Sequence, residues 1–167
     1  MQDVGDVPMK DPLAYFLTWA TYGTWLPGDD RGWVEYRNEW QLPARNLERI
    51  CRTKMAEHQC LLSRVQRELV VGQVEETCAH RGWQLYAVDC RSNHAHVVVG
   101  APETASKKVR ADLKAWCTRR LKQQSDRENF WAERGSVRWV WDEQSLDTVV
   151  QYVSEAQDRN DRSEPEV

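Results

Sequence analysis

The pattern of apolar and polar positions divides the chain into strands and helices. Residues 13–21 form an apolar, aromatic run that predicts a first strand. Residues 83–89 alternate between apolar and polar side chains, and residues 97–99 are a run of valine that is typical of a strand buried on both faces. A short turn at residues 91–93 joins these two segments, so they predict a β-hairpin. A last short strand is predicted over residues 137–141.

Three segments have the spacing of amphipathic helices. The first covers residues 56–80, where apolar side chains recur three or four positions apart and Gly82 follows the end of the pattern. The second covers residues 102–123. The third covers residues 146–159 and is preceded by helix-starting side chains at residues 142–145.

The resulting order is strand, helix, strand, strand, helix, strand and a final helix. This is the order of the ferredoxin-like α+β fold, in which an antiparallel sheet carries two helices on one face. For 167 residues without an internal repeat we expect one domain, 1–167, with an ordered core over about 13–159. Residues 22–33 are predicted to form a loop, and residues 34–55 an irregular excursion with one short helical turn.

The charge, the cysteines and the apolar segments of the chain restrict the kinds of protein it can be. The formal net charge of −3 argues against a chain that coats nucleic acid indiscriminately, although it is compatible with a local basic face. The five cysteines are scattered and form no C-x-x-C pair, so we expect reduced thiols. Neither a signal peptide nor a membrane-spanning apolar run is recognised, and the expectation is a cytoplasmic protein without membrane contact.

The second predicted helix is strongly basic. Between residues 104 and 123 it has seven lysines and arginines against a single aspartate, a local balance of +6. In an otherwise acidic protein this favours contact with a phosphate backbone over a merely solvated face. The candidate DNA-binding side chains on this helix are Lys107, Lys108, Arg110, Lys114, Arg119 and Arg120.

The loop after the first strand combines aromatic and basic side chains. Trp25, Arg31 and Trp33 form a set suited to stacking on exposed bases, which makes them further candidates for DNA contact. A hydrophobic lid packed over the sheet is an equally good interpretation of this loop.

Two histidines enter the strand that the valine run continues. His94 and His96 are two positions apart, so they leave the same face of a strand about 7 Å apart along the chain. Two imidazoles side by side can bind one divalent metal ion, although a bare His-x-His is more often a pair of ordinary hydrogen-bonded histidines. Cys90 offers a zinc ligand nearby, but a clear fourth ligand is missing.

With this order of elements, the sequence resembles the single-tyrosine HUH transposases of the insertion-sequence type and their REP-associated relatives. The resemblance covers about residues 13–159. It rests on the S-N-H-A-H segment at residues 92–96 in the third strand, on Tyr152 in a helix after the last strand, and on the opening segment at residues 17–28.

The resemblance implies a metal-dependent endonuclease and strand transferase that acts on single-stranded or hairpin DNA in the nucleoid. Tyr152 would attack a phosphodiester and form a 5′-phosphotyrosine link, while Mg²⁺ or Mn²⁺ held by His94 and His96 polarises the phosphate. The resemblance also implies a homodimer in which the tyrosine helix of one subunit can complete the other's site. A flexible loop at residues 126–135 would permit that exchange.

Two positions depart from the family pattern. The residue between the histidines is usually a large hydrophobe, and here it is Ala95. The third metal ligand, commonly glutamine, usually follows the tyrosine by four residues, where this chain has Ala156. Gln157 would need a π-bulge to take that place, because a five-residue step turns an α-helix by about 140°. Glu155, at about 60°, is the alternative oxygen donor.

The sequence leaves two other functions open. A domesticated hairpin-DNA-binding protein without turnover would keep the fold, and the displaced glutamine and the acidic net charge favour it. An RNA-binding module shares the sheet topology, but neither middle strand has the aromatic pattern of RRM domains. A covalent DNA adduct that depends on Tyr152 would distinguish the enzyme from the binder.

Overall fold

The computed structural model describes residues 10–35 and 39–160, with residues 156–160 described by their backbone alone. The elements in these ranges are β1 (Ala14–Ala20), β2 (Trp33–Val34), β3 (Trp40–Gln41), α1 (Arg45–Thr53), α2 (Arg64–Arg81), β4 (Gln84–Cys90), β5 (His94–Gly100), α3 (Ser106–Lys122), β6 (Ser136–Val140) and α4 (Glu143–Asn160).

The four longer strands form one antiparallel sheet in the order β4-β5-β1-β6. With α2 and α3 as the two connecting helices, this is the predicted ferredoxin-like arrangement, and the additional C-terminal helix is present as α4. β5 lies inside the sheet and pairs with β4 and β1. Its register sets His96 opposite Thr18 on β1 and opposite Asp89 on β4.

The sheet carries a hydrophobic layer on each face, because successive side chains of a strand point to opposite sides. On one face, Leu17 and Val97 are buried in the larger core together with α2 and α3. On the other face, Val98 packs with Val149 and Val153 of α4 in a smaller cluster. The final helix therefore covers the face that α2 and α3 leave open.

The first long helix begins later than the spacing of apolar residues predicts. The Ser63 hydroxyl accepts a hydrogen bond from the Gln66 N–H, and the Gln66 side chain accepts one from the Ser63 N–H. This capping box starts α2 after Ser63. Residues 56–63 are instead bonded to the loops that flank the sheet, from the Cys60 N–H to the Tyr22 carbonyl at 2.7 Å and from the Leu62 N–H to the Ser92 carbonyl at 2.8 Å. The prediction of a helix from residue 56 is wrong for that reason.

The region before α2 is more regular than predicted. β2 and β3 form a small hairpin outside the main sheet, and α1 is a nine-residue helix rather than a single turn. None of the residues of α1 is buried, so the periodicity of buried positions did not reveal it. α3 also begins later than expected, at Ser106 rather than residue 102.

Two expectations from composition can be compared with the structure. The cysteines are free thiols, and all of them except Cys51 are buried. Within residues 10–35 and 39–160, the helices are too short or too polar to cross a membrane.

Candidate active site

The two histidines lie on the sheet face that α4 covers. Alternation along β5 sets His94 and His96 on the same side as Val98, which packs in the α4 cluster. Their ring centroids are 4.6 Å apart. The predicted pairing of the imidazoles is therefore present.

The residue between the histidines points to the opposite face. Ala95 is fully buried in the larger core, opposite Trp19 in the β1–β5 register, and Trp19 is only 1% exposed. A large ring beside a small residue fills the space that a larger middle residue would take. Cys90 pairs with Ala95 and belongs to the same core, so it lies away from the histidines and does not form a zinc site with them.

Tyr152 reaches the histidine face from α4. Val149 and Val153 anchor the helix to the sheet, with 5% and 2% exposure. The ring centroid of Tyr152 is 6.0 Å from that of His96, in an edge-to-face arrangement. The fold thus brings the late tyrosine to the histidine pair within one chain.

Phe16 supports this cluster from β1. Its ring centroid lies 5.5 Å from His96 and 6.2 Å from Tyr152. Tyr152 is nevertheless 55% exposed. Its ring is held by neighbours yet remains accessible.

Each histidine has a hydrogen bond at Nδ1. His94 Nδ1 lies 2.6 Å from Asn93 Oδ1, and because an amide oxygen only accepts, the proton of His94 is on Nδ1. This leaves the Nε2 lone pair of His94 as a possible metal ligand. His96 Nδ1 lies 2.8 Å from Thr18 Oγ1, where either atom can donate. Bonds of this kind orient imidazoles that bind metals.

Both imidazoles are predominantly neutral at pH 7. Burial lowers the pKa of His94, and the nearby Asp89 carboxylate offsets part of that shift. Burial also lowers the pKa of His96 to about 4, with smaller contributions from His94 and Arg91. The neutral form is the one that can bind a metal ion.

The start of β5 is fixed by the first loop. The Thr21 N–H donates to the Asn93 carbonyl at 2.8 Å, and the hydroxyls of Thr21 and Thr24 donate to the same oxygen at 3.2 and 3.4 Å. These bonds hold Asn93 and, through its side chain, His94. Sequence reasoning missed this role, because the T-x-x-T spacing does not reveal an acceptor about 70 positions away.

The structure describes only part of the segment that offers the third metal ligand. α4 is α-helical throughout, so the π-bulge that Gln157 would need is absent from its backbone. The Gln157 side chain itself lies outside the described residues. Glu155 is exposed, and its Oε2 accepts a hydrogen bond from Gln151 at 3.0 Å. In the described part of the chain, no three His, Cys, Asp or Glu side chains are grouped to hold a metal ion.

An ion pair beside the histidines was not predicted. Asp89 lies opposite His96 in the β4–β5 register, and its Oδ2 accepts a hydrogen bond from Arg91 Nε at 2.9 Å. The Arg91 N–H also donates to the His94 carbonyl at 2.7 Å. The D-x-R spacing before the turn was a usable signal, because Asp89 on β4 shares the face of the paired histidines and Arg91 follows it by two residues.

Comparison with models of known protein families identifies the family of this chain. A family model described as "Transposase IS200 like" matches residues 46–156, which include the histidine pair and Tyr152. The chain belongs to the IS200-like transposase family. No curated protein matches the sequence significantly.

Two solved structures are similar to this IS200-like transposase. A crystal structure from Deinococcus radiodurans R1, of a protein assigned as a transposase, has 18% identity and a TM-score of 0.52, and the match covers 92% of this chain and 95% of that one. The structure of a REP-associated tyrosine transposase bound to a REP hairpin has 12% identity and a TM-score of 0.56, and that match covers 96% and 74%. At these identities the likeness shows the fold alone.

The basic helix of this chain lies on the sheet face opposite the histidines. Val109 and Leu113 of α3 are buried in the larger core, whereas the histidines are on the α4 side. A DNA strand that contacted both α3 and Tyr152 would therefore have to pass around the sheet.

The candidate DNA-binding side chains of α3 fall into two groups. Lys114 Nζ donates to the Ala132 carbonyl at 2.6 Å, and burial lowers its pKa to about 8. Arg120 bonds to Gln73 and Glu76 of α2, so these two cations have structural contacts. Burial also lowers the pKa of the partly buried Arg110. The candidates at the surface are Lys107, Lys108 and Arg119, the last stacked 4.5 Å above the Trp116 ring.

The aromatic loop forms a unit with the β2–β3 hairpin. Trp25 is 44% exposed, and its ring lies 6.4 Å from that of Trp40. The Arg31 guanidinium bonds to both carboxylate oxygens of Asp29. Trp33 is half-buried, and neither it nor Trp25 belongs to the two cores of the sheet. The two tryptophans therefore do not pack on the sheet, whereas Tyr22 at the start of the loop packs against the larger core.

The segment at residues 126–135, expected to be a flexible loop, is hydrogen-bonded to the region before α2. The Glu57 carboxylate accepts hydrogen bonds from the backbone N–H groups of residues 128 and 129 at 3.0 and 2.7 Å. Phe130 is buried with 2% exposure. The loop is anchored to the rest of the fold, which is consistent with Tyr152 lying in the site of its own chain.

Proposed function

We propose that this chain is a metal-dependent endonuclease and strand transferase that acts on single-stranded or hairpin DNA through a 5′-phosphotyrosine intermediate. The proposal is carried by one observation: Tyr152 lies against His96 on the sheet face that also holds His94. Membership of a transposase family supports DNA cleavage and joining. The REP hairpin in a structural neighbour supports a hairpin substrate.

The histidine pair fits a divalent ion such as Mg²⁺ or Mn²⁺. Both imidazoles have lowered pKa values and a hydrogen bond at Nδ1, so their Nε2 atoms would be the ligands. An oxygen of Gln157 or Glu155 would complete the site. Once bound, the ion would supply Lewis-acid polarisation of the scissile phosphate.

The tyrosine supplies the nucleophile. Free tyrosine has a pKa of about 10, so a phenol attacks slowly at neutral pH unless its target is activated. In the proposed step, Tyr152 Oη loses its proton and bonds to phosphorus, while the bond from phosphorus to the 3′ oxygen breaks. The 3′ oxygen takes up a proton. A second 3′-hydroxyl reverses the step, and no ATP is needed because one phosphate ester is exchanged for another.

We also propose a homodimer that forms through the edge of the sheet. β6 is an edge strand, and Trp139 and Trp141 next to this edge are 50% and 48% exposed. An exposed edge with large apolar side chains is suited to pairing with a second copy. Each subunit would use its own Tyr152.

A covalent adduct tests the reaction. Incubation with a labelled stem-loop that has single-stranded flanks, in the presence of Mn²⁺, should yield a protein–DNA adduct that resists denaturation. Tyr152→Phe removes only the hydroxyl, so it should bind the hairpin without forming the adduct. His94→Ala and His96→Ala should also lose the adduct. Tyr22→Phe is the control, because the Tyr22 hydroxyl accepts a hydrogen bond from the Ala56 N–H away from the histidines.

An adduct that persists in Tyr152→Phe would refute the assignment of the nucleophile. Tight, hairpin-specific binding without an adduct under any metal condition would instead favour a domesticated hairpin-DNA-binding protein. The displaced glutamine, at position 157, and the formal net charge of −3 are the observations that favour this second candidate. Titration with Mn²⁺ distinguishes the two, because the enzyme should bind the ion and His94→Ala should abolish that binding.

A further inference from the structure

The Asp89–Arg91 ion pair lies at the turn end of the β4–β5 hairpin, on the face of the histidines. Asp89 is opposite His96, and the Arg91 N–H is bonded to the His94 carbonyl. The two side chains are only 10% and 13% exposed. The guanidinium is thus fixed at the site by its own backbone and by a neighbouring carboxylate.

Most N–H groups of the Arg91 guanidinium do not donate a hydrogen bond to a described residue. Nε is bonded to Asp89 Oδ2, but within the described residues neither Nη atom of Arg91 has an acceptor. The Arg91 side chain as a whole remains 13% exposed. An arginine held through one nitrogen, with the other two accessible, can bind a phosphate with its planar fork.

The positive charge of Arg91 lies beside the histidine pair. The Arg91 N–H is bonded to the His94 carbonyl, and its carboxylate partner Asp89 lies opposite His96, the histidine that Tyr152 contacts. Arg91 would therefore add a fixed positive charge where a phosphate approaches Tyr152. Negative charge that develops on the phosphate during the attack would be stabilised by a donor that is already in place.

We propose that Arg91 binds a non-bridging oxygen of the phosphate that Tyr152 attacks, and that Asp89 is a positioning residue for the guanidinium. This inference rests on the proposed function. A phosphate contact of Arg91 differs from a purely structural ion pair in one respect. A structural pair loses the same contact whichever residue is changed, whereas a phosphate contact depends on Arg91 far more than on Asp89.

Inorganic phosphate tests the contact without any DNA. In ¹⁵N NMR titrations of the whole chain, the Arg91 Nε–Hε signal, assigned by its loss in Arg91→Lys, should shift as phosphate is added. Asp89→Asn keeps an amide oxygen for Nε and removes the competing negative charge, so phosphate affinity should be equal or higher. Asp89→Asn/Arg91→Gln removes both charges of this ion pair, and phosphate should bind about tenfold more weakly or worse, as followed at the histidine ring signals.

The Arg81–Asp112 ion pair provides a matched control. It joins α2 to α3 on the other side of the sheet, at 3.4 Å. Arg81→Gln should leave both the phosphate affinity and the rate of adduct formation unchanged. In single-turnover reactions at saturating hairpin, Asp89→Asn/Arg91→Gln should form the adduct about 100-fold more slowly than wild type.

The outcomes separate this inference from the proposed function. An Arg91 signal that does not respond to phosphate, or equal losses of phosphate affinity in Asp89→Asn and Arg91→Lys, would overturn the contact. An unchanged adduct rate in the double variant would overturn its part in the reaction. If phosphate binds at Arg91 but the wild-type chain forms no adduct, the anion contact is supported and the proposed reaction fails.

Discussion

Replacing the outward-facing cations of α3 should weaken DNA binding through electrostatics alone. Lys107, Lys108 and Arg119 are exposed, and none of them forms an ion pair with another described residue. Lys114 and Arg120 on the same helix are bonded to protein atoms. The helix α3 therefore provides both the cations to be replaced and the bonded cations that serve as controls.

The size of the effect follows from counterion release. Each phosphate contact contributes about 0.7 to the log–log salt dependence on single strands and about 0.9 on duplex DNA. Lys107→Ala/Lys108→Ala/Arg119→Ala should therefore flatten the slope by about 2 units on a single-stranded flank and by about 2.7 on a stem. Between about 50 and 200 mM salt, wild type should lose roughly 20- to 40-fold more affinity than the variant.

Fluorescence anisotropy of a labelled stem-loop across this salt range measures the slope. Because α3 lies opposite the histidines, adduct formation at saturating DNA should keep its wild-type rate. Lys114→Met should leave the slope unchanged and instead lower stability by about 1 kcal/mol, since it removes the bond to the Ala132 carbonyl. A wild-type slope in the triple variant, or an equal change of slope in Lys114→Met, would refute the assignment of this face to DNA.

Three further predictions concern the fold and the assembly. Gly135→Ala should destabilise the chain by about 1–3 kcal/mol in urea unfolding and slow the adduct, because a new methyl group would lie 2.5 Å from the Thr18 carbonyl oxygen, next to the side chain that bonds His96. Gly72→Ala in α2 meets nothing within 4 Å and should stabilise the chain by up to about 1 kcal/mol. Light scattering should report a dimer that Trp139→Lys dissociates; a wild-type monomer with and without DNA would exclude the dimer.

Local sequence pattern was sufficient for the sheet and for the pairing of the histidines. The extended backbone has a period of two, so His94 and His96 share a face whatever packs against it. The apolar spacing also identified the helix that holds Tyr152. The same reasoning failed at residues 56–63, where apolar residues have helical spacing but the Ser63 capping box and bonds to the sheet compete with a helix.

Only the tertiary structure decided which side chains meet. Lys107 and Lys108 cannot be told from Lys114 and Arg120 in the sequence, because what distinguishes them is an acceptor on another element. An amphipathic helix must bury one stripe, but its pattern does not say against which surface. The sequence therefore determined that a late helix carries a tyrosine, and the packing of α4 on the free face of the sheet decided that this tyrosine meets the histidines.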